Sequence, residues 1–164
     1  METEATLHGV KNGLMFLYAY QNKVAQEIGQ KRALELEAVS SSEMGVAQGM
    51  MLKEQIGHNN LDAISAAKII INLIEQEFGI TSVVKEESPE KVVYSCGRCP
   101  VYESNQMLGT DNNYIETICR GASINFMNAL VKQLNPDLKY DLIRFRSGAD
   151  DSCDEVIYLE KGNN

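Results

Sequence analysis

The period of the apolar residues changes once along this chain, near Gly79, and that change limits the fold more than any other feature. Before it the spacing is helical. Val10, Leu14, Leu17, Val24 and Ile28 recur on one side of an element running from Leu7 to about Val39, with Gly29 placed to bend it. Ser40-Ser41-Ser42 ahead of Glu43 reads as a break and a fresh N-terminal cap. Met44, Ala47, Met51, Leu52 and Ile56 then line one face of a second helix as far as Gly57. Asn59 or Asn60 caps a third helix that carries Ile64, Ala67, Ile71 and Ile74 and stops at Gly79. After Gly79, the β-branched runs 80–85 and 91–95 flank EESPE and predict a hairpin. A loop with two cysteines follows. A helix is expected from about Asn113 to Leu134, with Ile115, Ile118, Ala122, Phe126, Ala129 and Leu130 inward, stopped by Asn135-Pro136. Two strands, 138–146 and 153–159, flank the turn SGADDS. The predicted class is α+β, with N-terminal helices packed on an antiparallel sheet made of two hairpins joined by a long helix. Residues 1–79 and 80–164 are expected to form one domain, since 164 residues with 44% hydrophobic side chains suffice for one core.

Charge narrows the partners. A net charge of −8 disfavours nucleic acid, which needs a basic face, and an anionic membrane surface. The segment METEATLHGVKNG opens with acids rather than a basic region, so a secretory signal is not expected. The most apolar window, AAKIIINLI, is too short to span a bilayer and contains Lys68. A cytoplasmic location follows as the expectation, with a small molecule as the partner and a homodimer left open. In a reducing compartment, the four cysteines are expected as thiols or metal ligands rather than disulfides.

Cys96 and Cys99 form a single CxxC at the end of a strand, in SCGRCPVYE; Cys119 lies in the next helix and Cys153 opens the last strand. If that helix packs on the sheet, all four sulfurs converge at one end of it. Four thiolates suit zinc, and an iron–sulfur cluster uses the same ligands. The alternatives are a redox-active CxxC and a plain turn with Cys119 as a small core residue. A thioredoxin-type motif needs a helix N-terminus at the CxxC, which Pro100 and a following loop would disfavour. Glu103, four residues after Cys99, is a candidate general base beside a metal, or a solvated loop carboxylate. In SGADDSCDE, Asp150 or Asp151 would orient a metal-bound water or meet a cationic ligand group, or simply serve the turn. His8 and His58 have no partner at ligand spacing and are read as structural. Arg144 and Arg146 alternate along one strand with Lys139 near, as a carboxylate clamp or as the wet side of the strand. The seven methionines suit core filling or an adaptable pocket.

Taken together, KEQIG, EESPEKVVYSCGRCPVYE, ICRGASINFMNALVKQLNP and RFRSGADDSCDEVIYLE resemble the L-2-amino-thiazoline-4-carboxylic acid hydrolase-like family. The resemblance rests on Cys99-Pro100, on Cys119 in the next helix, on Asn135-Pro136, and on the run from Gly148 to Cys153, where Ala149 stands between the glycine and the aspartates. It covers the chain from about Tyr20 onward. The second half also resembles the 4-vinyl-reductase domain, a small-molecule-binding fold whose relatives sense aromatic compounds and hold zinc through cysteines. Cys96 is additional to that pattern. The leading expectation is a metal-assisted hydrolase of a small cyclic C–N substrate such as a thiazoline carboxylate, with zinc on Cys99, Cys119 and Cys153, Cys96 as a further candidate ligand that the resemblance does not imply, and Glu103 or Asp151 acting on bound water. The alternative is a non-catalytic module that binds or senses a small molecule, its cysteines holding zinc or an iron–sulfur cluster.

Overall fold

Two long helices open the chain in the computed structural model, which describes residues 2–57 and 60–160. These are α1 (Glu2–Ile28) and α2 (Gln30–Ile56), separated by Gly29 alone. Gly29 has φ 87°, a conformation that a side chain would strain, so the bend expected there is a full break between helices. The break expected at Ser40–Ser42 does not occur. Three serines lower helix propensity only by tenths of a kcal/mol each, about as much as other common residues, and α2 passes through them because it is held by packing. Gly45 and Gly49 bring its backbone against a later helix: a Cβ at Gly45 would stand 2.2 Å from the Phe126 carbonyl oxygen, and one at Gly49 2.7 Å from that of Leu130. The buried stripe of α2 is therefore Gly45 and Gly49, whereas Met44 and Met51 are exposed.

The third helix, α3 (Ala63–Phe78), is capped by Asp62, whose side chain accepts from the Ser65 amide at 2.8 Å. Asn59 lies outside the described residues, and Asn60 instead donates its amide to the Leu134 carbonyl at 3.1 Å. The buried stripe is Ala63, Ala66, Ala67, Ile70 and Ile74, turned by one position from the expected face at Ile70. Gly79 ends α3 in the left-handed region (φ 68°), and a Cβ there would meet α1 backbone at 2.5 Å.

The strands β1 (Ser82–Ser88), β2 (Lys91–Cys96), β3 (Leu138–Arg144) and β4 (Cys153–Leu159) form one antiparallel sheet in the order β1-β2-β4-β3. The two hairpins thus join through β2 and β4, in a register that sets Cys96 opposite Cys153 and Tyr94 opposite Glu155. Between the hairpins lie α4 (Pro100–Met107), α5 (Asn112–Ile118), a π-helical turn at Cys119–Ser123, and α6 (Ile124–Leu134). The loop expected after the CxxC is α4. Proline is favoured at a first helical position, where its missing N–H is unneeded. Ile115, Ile118, Ala122 and Leu130 are buried as expected and Phe126 packs half-buried on the core, but beyond the π turn the buried face is completed by Met127, Val131 and Leu134 rather than Ala129. The Ile124 amide bonds Cys119 O, five residues back, and the extra residue in that turn advances the inward face past Ala129.

The core lies between the sheet, α3 and α6: Ile70, Ile74, Val92, Tyr94, Leu130, Leu138 and Ile157 are all buried there. The first two helices pack around it, α1 on α3 and α4, and α2 on α6 and the π turn. No described helix is long and apolar enough to cross a membrane.

Candidate functional site

A cavity of about 610 Å³ opens beneath α1 and α2, between them and one end of the sheet. Its walls are mainly apolar, with Leu14, Leu17 and Val24 from α1, Leu34 and Met44 from α2, and Ile74, Phe78 and Phe126 from below. Polar groups lie at its sheet end, where Cys96, Tyr140, Cys153, Glu155 and Arg146 meet Cys99, Tyr102 and Cys119 from α4 and the π turn, and also on the helix side, where Gln21 of α1 and Glu37 and Ser41 of α2 line it.

The strand pleat explains the grouping at the sheet end. Residues two apart share a face, so Val92, Tyr94 and Cys96 of β2, Tyr140 and Leu142 of β3, and Cys153, Glu155 and Ile157 of β4 point the same way. Glu155 is thus placed among buried groups. Its carboxyl accepts from the Tyr140 hydroxyl and from Cys96 Sγ at 3.3 Å, and the Tyr94 hydroxyl donates to that of Tyr140 at 2.6 Å. Burial pushes the Glu155 carboxyl above the ordinary carboxylate range. Sequence reasoning missed Glu155, although its strand spacing from Cys153 was the available signal.

All four expected cysteines line this cavity. Cys99 is the N-cap residue of α4, so the CxxC does stand at a helix N-terminus, contrary to the expectation from Pro100. The thiols of Cys96, Cys99 and Cys119 are nevertheless held protonated. Burial pushes Cys99 up to about 11 and raises Cys96 and Cys119 well above the usual thiol range. Cys96 contacts Ser82 and Glu155, and Cys153 Sγ accepts from Arg146 Nε at 3.4 Å. The four sulfurs suit zinc or an iron–sulfur cluster in donor type. They do not suit it in arrangement: among the described residues, no three His, Cys, Asp or Glu side chains are grouped to hold one metal ion.

The expected catalytic carboxylates stand elsewhere. Neither Glu103 nor Asp151 lines the cavity. Glu103 is paired with Arg98 at 2.7 Å and Lys11 at 3.2 Å, and the hydrogen bonds from Arg98 hold its carboxyl below the usual range. Asp151 accepts from the Ser147 and Ser152 amides and from Arg144 at 2.9 Å, which likewise hold it low, and Asp150 is exposed on the turn. His8 is exposed beside Asn12, and His58 lies outside the described residues.

The two arginines part company. β3 is irregular between Leu142 and Arg144, which puts Arg144 outside against Asp154 at 2.9 Å, and the strand ends there rather than at Arg146. Arg146 turns inward and is 1% exposed. Its guanidinium lies over the Tyr102 ring, 5.1 Å from the centroid, and Nη2 donates to the Cys96 carbonyl at 3.2 Å and to that of Gly97.

No protein-family model matches the chain, and no curated protein matches it. The likeness is to solved structures. The phenol-responsive sensory domain of the transcription activator PoxR, with phenol, matches with a TM-score of 0.60 at 12% identity, over 88% of this chain and 73% of that one. A trafficking protein particle complex subunit 3 from Naegleria fowleri, covalently bound to palmitic acid, matches with a TM-score of 0.51 at 14% identity, over 92% of this chain and 97% of that one. At such identities the likeness is one of fold.

Proposed function

We propose that this chain is a small-molecule-binding or sensing module whose ligand lies in the cavity beneath α1 and α2. The cavity itself carries the reading. Its volume and its mainly apolar walls with a few polar groups among them are those of a ligand pocket. Both structural neighbours support it, one a phenol-responsive domain and the other a protein bound to palmitic acid. Binding rests on the cavity walls and does not pass through a metal. A hydrolytic reading draws no comparable support, because Glu103 and Asp151 would have to leave their ion pairs to reach the cavity.

The neutral probe N-phenyl-1-naphthylamine tests this reading by its fluorescence. The expected result is saturable binding of one probe per chain. Ala122, buried in the cavity wall at the π turn, offers a way to fill the space. Ala122→Phe is expected to weaken the probe by about tenfold or more while melting as a folded protein. Absence of saturable binding by wild type, or turnover of a thiazoline carboxylate, would overturn the reading.

A further inference from the structure

The guanidinium of Arg146 ends in an unused donor. Nε is bonded to Cys153 Sγ and Nη2 to the Cys96 and Gly97 carbonyls, but Nη1 has no partner. Among the described residues it is the one buried side-chain nitrogen or oxygen left unsatisfied, and its side chain lines the cavity. Buried donors are paired almost without exception in folded proteins, so an unpaired one on a side chain that lines a cavity points to a missing acceptor. The charge on Arg146 points the same way, because a guanidinium stays protonated at any ordinary pH. The nearby acid does not fill this donor: Glu155 accepts from Tyr140 and Cys96 and acts on Arg146 through its charge, without a hydrogen bond. Tyr102, stacked beneath the guanidinium and anchored by its hydroxyl on Asn112 at 2.8 Å, keeps the group from swinging away. Asn112 in turn donates to the Arg146 carbonyl at 3.3 Å. The guanidinium is therefore held in place in the wall of a mainly apolar space.

We propose that the ligand is an apolar molecule ending in a carboxylate, its hydrocarbon part under α1 and α2 and its carboxylate on Arg146 Nη1. This rests on the reading of the cavity as a ligand site. A single free guanidinium nitrogen matches a monoanion, and the two N–H groups of Nη1 suit the acceptor-only oxygens of a carboxylate. A phosphate ester would bring up to two charges against one cation. An alcohol would satisfy the hydrogen bond but bring no negative charge to the guanidinium.

Calorimetric titration at neutral pH with matched pairs tests the proposal: decanoate against decan-1-ol, and 4-butylbenzoate against 4-butylbenzyl alcohol. In at least one pair, wild type is expected to bind the acid about tenfold or more tighter than its alcohol, the scale of a charge-assisted hydrogen bond. Arg146→Met, its fold checked by thermal melting, should bring the acid-to-alcohol ratio to about one. Arg146→Lys should keep part of the preference, since it keeps the charge. If Arg146→Met fails to melt as a folded protein, the wild-type ratios and Arg146→Lys decide. Alcohols bound as tightly as their acids, with the neutral probe still bound, would overturn the carboxylate proposal alone. Failure of the neutral probe, both acids and both alcohols to bind would overturn the ligand site and the proposal together.

Discussion

Glu103 accepts from Arg98 at 2.7 and 2.9 Å and from Lys11 at 3.2 Å, and in doing so ties α1 to the start of α4. Its side chain is only 16% exposed, so water screens these contacts less than it would a surface pair. The carboxyl is held below its ordinary value chiefly by the Arg98 hydrogen bonds. A depressed carboxyl contributes stability that is present above its unfolded value and is lost as pH falls through the folded one. Glu103→Gln is therefore expected to lower stability by about 1–2 kcal/mol near neutral pH. Wild type and variant should converge at pH values below the folded pKa, as thermal melts across an acid series would show. Binding of N-phenyl-1-naphthylamine should survive, because Glu103 is outside the cavity. At this scale the sequence is legible for residue type and poor for partners. The four cysteines were readable as neighbours because their strands and helix were readable. Glu155 was not, because a glutamate on a strand looks like its wet side; its spacing of two from Cys153 was the one signal in the sequence, and the register with Tyr94 and Leu142 puts it inward. Arg146 was hidden for the opposite reason, since the irregularity after Leu142 breaks the simple alternation that put it beside Arg144.

Elements were legible where periodicity and caps agree, as in the helix-to-strand change at Gly79, the two hairpins and the stop at Asn135-Pro136. They were misread where packing overrides a local signal. α2 crosses three serines because Gly45 and Gly49 let it lie against α6, and that contact is between residues far apart in sequence. Met44 and Met51 mark the more hydrophobic face, yet the helix is held by its smallest residues. Glycine substitutions separate these effects. At Gly45 a methyl group would meet the Phe126 carbonyl oxygen at 2.2 Å and Ala129 Cβ at 3.0 Å, so the helices must move apart. Gly45→Ala gains about 1 kcal/mol in helix propensity, but overpacking of a close contact costs about 1–3 kcal/mol, and net destabilisation is expected. Gly13, inside α1 with nothing within 4 Å of its added Cβ, is the contrasting site. Gly13→Ala should stabilise by up to about 1 kcal/mol. Urea unfolding of both variants checks the pair, and a stabilised Gly45→Ala would show that the helices do not pack this closely.

Across the whole molecule, the contiguous core is drawn from α3, α6 and strands β2, β3 and β4, and α1 supplies nothing to it. Among the described residues, α2 meets that core through the close approach of Gly45 and Gly49 to α6 and through the partly buried Leu52 and Ile56 near its C-terminal end. The rest of α2 and α1 roof the cavity, joined at Gly29, and leave Phe16 85% and Met44 66% exposed. A roof with little core beneath it opens at lower free energy than the core unfolds, because the apolar area it gives up is smaller. Native-state hydrogen exchange should therefore find residues 8–28 and 30–44 exchanging through local opening, with α3, β2, β4 and α6 exchanging only at the global rate. A bound ligand touches both parts. At a hundredfold excess over its dissociation constant it adds about 2.7 kcal/mol to the bound form, and the roof cannot open without losing the contacts that supply it. Saturating N-phenyl-1-naphthylamine is therefore expected to slow exchange in α1 and residues 30–44 by about a hundredfold, with α6 protected no more than global stability rises. Equal protection of α1 and α6 before any ligand is added would mean that the helices above the cavity are as firmly held as the core. Entry to the cavity would then require a route other than the opening of α1 from α2.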